Sequence, residues 1–439
     1  MKIMKFGGTS VGKPARMHEV ARLATADKEP KIVVLSAVSG TTNALVAISQ
    51  KLALGERDAA RLAIDALETQ YQNFIAELVH TDAALEKARA VLQEHFEFLH
   101  IILRISWSEA LNKDILAQGE LLSTKLFCTY LEEQGLRYAL LPALDFMRID
   151  EHEEPQLDTI RTLLGAMLQQ HAGTGLFVTQ GFICRNARGE VDNLKRGGSD
   201  YSASLIAAAA GASVCEIWTD INGMHNNDPR VVDRTLPVSR LSFDEAAELA
   251  YFGAKILHPA SIWPAQQHNV PVKLLNTMDP GAEGTLITGD ATAPGAKAIA
   301  AKDGITAVNI KSSRMLLAYG FLRRVFEIFE KHRTSIDMIT TSEVAVSVTI
   351  DNASALPAIL EELGALGTVS VDGDQAIVSI VGQEIASDTS MLQRVFSSLE
   401  GVEIRMVSYG GSLHNISLLV AADKKKDVLQ RLNKGVFGL

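Results

Sequence analysis

The N-terminal stretch shows three patterns of apolar and polar positions in succession. KIMKF, from Lys2, is a short apolar run. MHEVARLAT, from Met17, repeats at a helical period, and KIVVLSAV, from Lys31, is a continuous apolar run of the kind buried on both faces of a parallel sheet. Together they predict a strand, loop, helix, strand unit. From about Asp58 to Glu133 the chain is helical in period, charged on one side and rich in Ala, Leu, Glu and Gln, which predicts a helical excursion. β-like runs return at RYALLPAL (from Arg137), GLFVTQGF (from Gly175) and VCEIWTDI (from Val214), with the helix-prone SDYSASLIAAAA between the last two. The expected fold is α/β, a predominantly parallel sheet sandwiched by helices, with ligand sites in loops beyond the strand ends.

GDATAPGAKA, from Gly289, is rich in small residues and carries a proline, and it marks the expected boundary. Beyond it the chain nearly repeats itself. Leu322, Arg324, Val325 and Phe326 correspond to Leu392, Arg394, Val395 and Phe396, and the runs AVSVTI and NISLLV follow in turn. Two small α+β units of βαββ type are implied. The expected domains are 1–289, a linker at 290–298, and the repeated units at 299–372 and 373–439, either consecutive or interleaved. The alternative is that the repeated tail merely stabilises or dimerises the rest.

Composition narrows the function. With 439 residues at 47% apolar content the chain can bury several cores. A formal charge of -10, with no basic run interleaved with aromatics, argues against nucleic acid as a partner. Cys128, Cys184 and Cys215 lack metal-ligand spacing and read as buried thiols, so no protein-held metal is expected. No apolar leader or bilayer-length run stands out, so a cytoplasmic protein without membrane contact is expected.

The stretch GGTSVGKP at Gly7 to Pro14 comes within one residue of a Walker phosphate loop, but Pro14 stands where a hydroxyl would reach the magnesium ion. Lys5 precedes the glycines instead of following them. Three readings stand at this point: a strand aiming Lys5 into a cleft with backbone N-H groups of Gly7, Gly8, Thr9 and Ser10 around an anion, a tight turn without ligand, and an unusual Walker loop. SAVSGTTNAL places Thr42 and Asn43 before a helix, as caps or as ligand contacts. NLKRGGSD brings a cation, paired glycines and Asp200 to a helix start, where Arg196 can fork onto a carboxylate while Asp200 orients a lysine or holds a metal through water. IWTDINGMHNNDPR delivers Thr219 and Asp220 to a loop with His225, Asp228 and Arg230. Lys255 in FGAKILHP needs an anionic partner if buried. Glu120, in the glycine-containing ILAQGELLST, is either a receptor for a substrate ammonium or a solvated helix carboxylate.

In their order, KFGGTS, SAVSGTTN, GELLST, LKRGGSD, WTDINGMHNNDPR and FGAKILHP resemble the motifs of aspartate kinases of the amino acid kinase family. The tail resembles the paired ACT regulatory domains of those enzymes, and no nicotinamide-binding unit follows. The resemblance implies phosphorylation of the β-carboxylate of L-aspartate by ATP with Mg2+. On this resemblance Lys5 neutralises the transferring phosphate, Gly7 and Gly8 donate to it, and Asp200 organises the lysines. Thr42, Glu120, Phe182, Arg196 and Ser199 surround aspartate, and Thr219, Asp220, His225, Arg230 and Lys255 stand on the ATP side. Many relatives carry tyrosine at the place of His225 and glycine at that of Lys195.

MLLAYGFLRRVF and SIDMITTSE resemble the effector segments of lysine-sensitive members. This implies L-lysine as feedback inhibitor, bound through Met315, Gly320, Phe321, Leu322, Ser335, Asp337, Thr341 and Ser342, with Asp337 facing the side-chain ammonium. Ala318 replaces a serine of some relatives, and Asp337 as a solvated turn residue is the plainer alternative. A homodimer or higher oligomer is expected. The competing functional class is an amino-acid-sensing module with a degenerate kinase half.

Overall fold

The computed structural model describes residues 1–194, 197–253, 258–312 and 319–439. Lys195, Arg196, Lys255, Met315 and Ala318 therefore lie outside the described residues. In chain order the strands are β1 (Lys2–Phe6), β2 (Lys31–Leu35), β3 (Ala139–Leu140), β4 (Leu176–Gln180), β5 (Ile183–Arg185), β6 (Val191–Asn193), β7 (Cys215–Thr219), β8 (Arg240–Ser242), β9 (Val272–Asn276), β10 (Thr285–Thr288), β11 (Gly295–Lys311), β12 (Ile339–Thr341), β13 (Ala345–Ile350), β14 (Thr368–Gln383), β15 (Met406–Tyr409) and β16 (Asn415–Ala421). The chain divides into two compact units, Met1–Met224 with Leu257–Gly289, and His225–Ile256 with Asp290–Leu439.

In the first unit the strands run β3-β4-β2-β1-β7-β9-β10. All neighbours are parallel except β10, which runs antiparallel to β9. Every residue of β2 and β4 is buried, as expected of strands covered on both faces. Register brings Phe6 beside both Leu35 and Trp218, so β2, β1 and β7 end level with one another. The helix after β1, Pro14–Ala24, places Pro14 in its first turn, where its missing N-H leaves no intrahelical bond unmade. Only Ala139 and Leu140 of RYALLPAL are strand, because Pro142 cannot donate to a ladder and the chain turns there into the helical turn Ala143–Phe146. The helical excursion is three helices, Arg57–Leu78, Asp82–Ile102 and Glu109–Glu133, the last two capped by Thr81 and Ser108 side chains.

The second unit shows the repeat as structure. Each copy runs long strand, helix, two short strands and a closing helix, and the closing helices Leu356–Gly364 and Lys425–Phe437 go beyond the βαββ pattern expected from sequence. The sheet order is β12-β13-β11-β14-β16-β15, antiparallel throughout. The long strands β11 and β14 pair from Gly295↔Gln383 to Lys311↔Thr368, so each contributes one end to each copy's core. One core gathers Val308, Phe321, Val325 and Val346, the other Ile299, Val378, Val395 and Leu418. Val325 and Val395, matched in the sequence repeat, are both fully buried. The segment His225–Ile256 joins this unit through Ile299 N-H donating to Asn226 O at 2.8 Å and Asn433 Nδ2 donating to Arg234 O at 2.9 Å.

Candidate active site

Lys5, near the end of β1, is 9% exposed and its Nζ lies 2.7 Å from Asp200 Oδ1. A buried ammonium without a counter-charge is costly, and Asp200, in the first turn of the helix Gly198–Ala210, supplies one. The glycines after β1 serve close packing. A Cβ at Gly7 would stand 3.3 Å from Lys5 Nζ, one at Gly8 3.1 Å from Ala37 O, and one at Gly12 2.9 Å from Ser39 Cβ. Of the four N-H groups expected around an anion, Gly7 donates to Trp218 O at 3.4 Å and Ser10 to Gly7 O at 2.9 Å. Gly8 and Thr9 keep theirs outside the hydrogen bonds of the described residues. The Walker reading falls: Lys13 is an exposed N-cap residue and Pro14 opens the helix.

Glu120 lies on the helix Glu109–Glu133 with 4% exposure, which overturns the solvated alternative. Its Oε1 accepts Ala37 N-H at 3.2 Å, while Oε2 has no hydrogen-bond partner among the described residues. Burial pushes the carboxyl up to about 8, opposed by the Ala37 N-H. Gly119 leaves the helix unbroken and makes room for Ala37, whose Cβ would lie 2.8 Å from a Cβ there. One turn on, Ser123 Oγ donates to Ser36 O at 2.9 Å, holding the helix to the loop after β2. Thr41 Oγ1 and Tyr71 OH are 2.7 Å apart, so the helical excursion reaches this loop through a fully buried tyrosine. The cap reading of Thr42 and Asn43 is corrected: Gly40, at φ +86°, is the N-cap, no side chain caps the helix Thr41–Ala53, and both residues lie within its first turn.

Phe182 has φ +66°, uncommon for a bulky residue and a mark of local strain. Its N-H donates to Ser202 Oγ at 2.7 Å, which ties the turn after β4 to the helix that carries Asp200. Gly181 admits Ser199 against the backbone, since a Cβ there would stand 2.4 Å from Ser199 Oγ. Lys5, Asp200, Ser199 and Phe182 are thus joined through one helix start. Two groups escaped the sequence reading. Tyr71 was not singled out in the sequence, and Asn193, 4% exposed, has no hydrogen-bond partner for either side-chain amide atom among the described residues.

Thr219 ends β7 and Asp220 follows it, with Thr219 Oγ1 donating to Asp220 Oδ1 at 3.2 Å. His225 and Arg230 belong to the second unit. His225 Nδ1 meets Thr235 Oγ1 at 2.8 Å. Arg230 is 84% exposed and forks onto Asp228, lowering that carboxyl from its ordinary range. In the regulatory unit Gly320, at φ +79°, is the N-cap of the helix Phe321–Lys331, with Phe321 buried and Leu322 partly exposed. Ser335, Thr341 and Ser342 are exposed. The Asp337 side chain is only 1% exposed, which overturns its reading as a solvated turn residue. The Asp65, Glu68 and His100 side chains come within ligand distance of one another on the helical excursion, partly exposed.

A parallel sheet carrying a lysine and glycines at one strand end, an acid at a helix start and a repeated antiparallel regulatory sheet defines a class of small-molecule kinase. The model of the amino acid kinase family matches residues 1–276, and that of an ACT domain residues 378–435. The lysine-sensitive aspartokinase 3 of Escherichia coli is 35% identical over 447 residues, covering 99% of each chain. The chloroplastic aspartokinase 3 of Arabidopsis thaliana is 35% identical over 99% of this chain and 81% of that protein. The crystal structure of E. coli aspartokinase III in complex with aspartate and ADP, an R-state, superimposes with a TM-score of 0.85 at 35% identity over 100% of both chains. That of the same enzyme with lysine and aspartate, a T-state, gives 0.82, covering 100% of this chain and 99% of that one. The chain belongs to the amino acid kinase family. Within it the chain is an aspartate kinase, a phosphotransferase whose acceptor is a carboxyl group, and it carries C-terminal ACT domains.

Proposed function

We propose that the protein transfers the γ-phosphoryl group of ATP to the β-carboxylate of L-aspartate, giving 4-phospho-L-aspartate for the synthesis of lysine, threonine and methionine, and that L-lysine inhibits it. The carrying observation is twofold: a buried Glu120 carboxyl held by Ala37 just beyond β2, with one oxygen unsatisfied among the described residues, and a Lys5–Asp200 ion pair near the end of β1, a strand level with β2. A carboxylate nucleophile needs no strong general base, so alignment and charge stabilisation carry the work. Lys5 neutralises charge developing on the transferring phosphoryl group, and the free N-H groups of Gly8 and Thr9 donate to it. Glu120 receives the aspartate ammonium, with Thr42, Phe182, Ser199 and Arg196 completing the acceptor side. Thr219, Asp220, His225, Arg230 and Lys255 serve the nucleotide. Asp200 is the acidic group that fits beside a nucleotide-borne Mg2+, an ion that usually keeps several waters and one or two carboxylates. The bound ion supplies further neutralisation of phosphate charge.

The inhibitor reading rests on the similarity to a lysine-sensitive relative and on the buried acid at Asp337. The enzyme acts in the cytoplasm as a homodimer or larger assembly. ADP release measured across amino acids with Mg2+ tests the substrate, and L-aspartate is expected to be preferred. Lys5→Ala should lower turnover roughly 10²-fold or more. Unchanged turnover in that variant, or release of ADP with another amino acid in preference to aspartate, would defeat the reading. The sensing-module alternative predicts lysine binding without ADP release from any acceptor.

A further inference from the structure

The two copies of the regulatory repeat carry the same ion pair with its charges exchanged. Asp337 N-H donates to Thr349 O at 2.9 Å, and Arg405 N-H donates to Leu419 O at 2.8 Å, so Asp337 and Arg405 occupy equivalent places beside β13 and β16. Their partners stand on the long strands: Lys302 Nζ lies 2.7 Å from Asp337 Oδ1, and Arg405 Nε donates to Asp372 Oδ2 at 2.8 Å. A strand-to-strand ion pair is therefore a common structural feature of the repeat and by itself implies no ligand.

What distinguishes the first copy is an excess of negative charge beside a buried carboxylate. Arg405 and Asp372 are 42% and 36% exposed and balance each other. Lys302, in contrast, is shared between the buried Asp337 and Asp351, a rim residue 41% exposed whose Oδ2 lies 2.8 Å away, so among the described residues one cation faces two carboxylates. Asp337 Oδ1 also accepts Tyr251 OH at 3.0 Å, and Lys302 Nζ sits 4.8 Å from the centre of the Tyr251 ring. Asp337 Oδ2, on a side chain 1% exposed, has no hydrogen-bond partner among the described residues. A buried carboxylate oxygen left unsatisfied is costly, and one more donor carrying a positive charge would complete both its hydrogen bonding and the local charge balance. The helix starts differ in the same sense. In the second copy the Asp388 side chain accepts Ser390 N-H and caps its helix, whereas the Gly320 helix has no side-chain cap.

We propose that Lys302 and Asp351 set the affinity and charge selectivity of the effector site at Asp337: Asp351 supplies the uncompensated charge that admits a ligand ammonium, and Lys302 is the resident cation that weakens its binding. This rests on the reading of L-lysine as effector. A like charge sharing one carboxylate with the incoming ammonium disfavours it, so removing Lys302 should tighten binding, and removing the charge of Asp351 should loosen it.

The test is calorimetric binding of L-lysine, with norleucine as the analogue lacking the side-chain ammonium, to the 439-residue protein at pH 8. Lys302→Met, Lys302→Arg and Asp351→Asn are compared with the parent, and basal kinase activity reports folding. Lys302→Met is expected to bind lysine about tenfold more tightly and Asp351→Asn about tenfold more weakly, with Lys302→Arg close to the parent and norleucine bound by none. Lysine bound by the parent with equal or lower affinity in Lys302→Met would overturn the proposal and leave lysine as effector intact. Lysine bound only by Lys302→Met would support it. Lysine bound by neither would overturn both, and an inactive Lys302→Met passes the decision to Asp351→Asn, where undiminished affinity refutes the proposal.

Discussion

Glu120 offers the sharpest test of the acceptor site, because its protonation is tied to ligand binding. Burial raises the carboxyl from its ordinary 4.5 to about 8, with the Ala37 N-H as the opposing influence. At pH 7 a group titrating at about 8 is about nine-tenths protonated. A substrate ammonium requires the carboxylate, so aspartate binding at pH 7 is expected to release close to one proton per site, falling to about a quarter at pH 8.5. The same shift has a sign in stability. Between 4.5 and about 8 the folded carboxyl holds its proton more tightly than the unfolded one, so the stability of the ligand-free protein falls as pH rises through that window. The difference, 8 minus 4.5, amounts to roughly 5 kcal/mol as an upper bound at about 1.36 kcal/mol per unit. Glu120→Gln should remove that slope, exceed the parent in stability at pH 8 and lose aspartate affinity. Calorimetry in two buffers of different ionisation heat measures the proton release, and denaturant titration across pH measures the slope. No proton released at pH 7 on aspartate binding, with parallel stability curves for parent and variant, would refute the reasoning.

Gly181→Ala places a Cβ 2.4 Å from Ser199 Oγ and 2.5 Å from its Cβ, so Ser199 or the strained Phe182 turn must move, at about 1–3 kcal/mol. Steady-state kinetics should show KM for aspartate raised about tenfold, with less change for ATP; an unaltered aspartate KM would remove Ser199 from the acceptor side. In native mass spectrometry the protein is expected at twice 47.4 kDa or a higher multiple. The regulatory sheet ends in the short edge strands β12 and β15, which leave backbone groups for a second copy. A single-chain species keeping both activity and lysine inhibition would argue against assembly.

Periodicity made the parallel core and the repeat legible, since strands buried on both faces lose their alternation and two like helices show the same apolar spacing. Lys5 and Asp200 could be singled out because cations and acids beside glycines at element ends have few plain structural uses. Other features depend on contacts distant in sequence. Nothing near Tyr71 announces Thr41, 30 residues before it, as its hydrogen-bond partner. The cap of the helix after β2 was misassigned to Thr42 and Asn43 because Gly40 in a left-handed conformation ends the loop earlier than a side-chain cap would. The closing helices of the repeat went unread, since the matched residues lie in the first helix of each copy. Asp337 was expected to face the ammonium of an effector; its resident partner Lys302, 35 residues away on a long strand, could not be read from the local pattern.

Ala37 shows how one small residue lets the sheet assemble these chemistries. β2, β1 and β7 end level, so the loops that follow them leave from the same edge. Ala37 stands just beyond β2, and its carbonyl limits Gly8, its Cβ limits Gly119, and its N-H is the hydrogen-bond donor to Glu120. A larger side chain there would separate the glycine loop from the helix bearing Glu120. The two charged groups so placed are in opposite conditions: Lys5 has its counter-ion in Asp200, while Glu120 has one neutral donor and no cation among the described residues. An ion already paired can hold its position before phosphate arrives, with little reorganisation to be done during transfer. A carboxyl left short of a cation is stabilised in its charged form only by a ligand that brings one. In the function proposed above, the free site is thus prepared for phosphate on one side and favours an ammonium on the other, the charge pattern that an amino-acid acceptor beside a nucleotide requires.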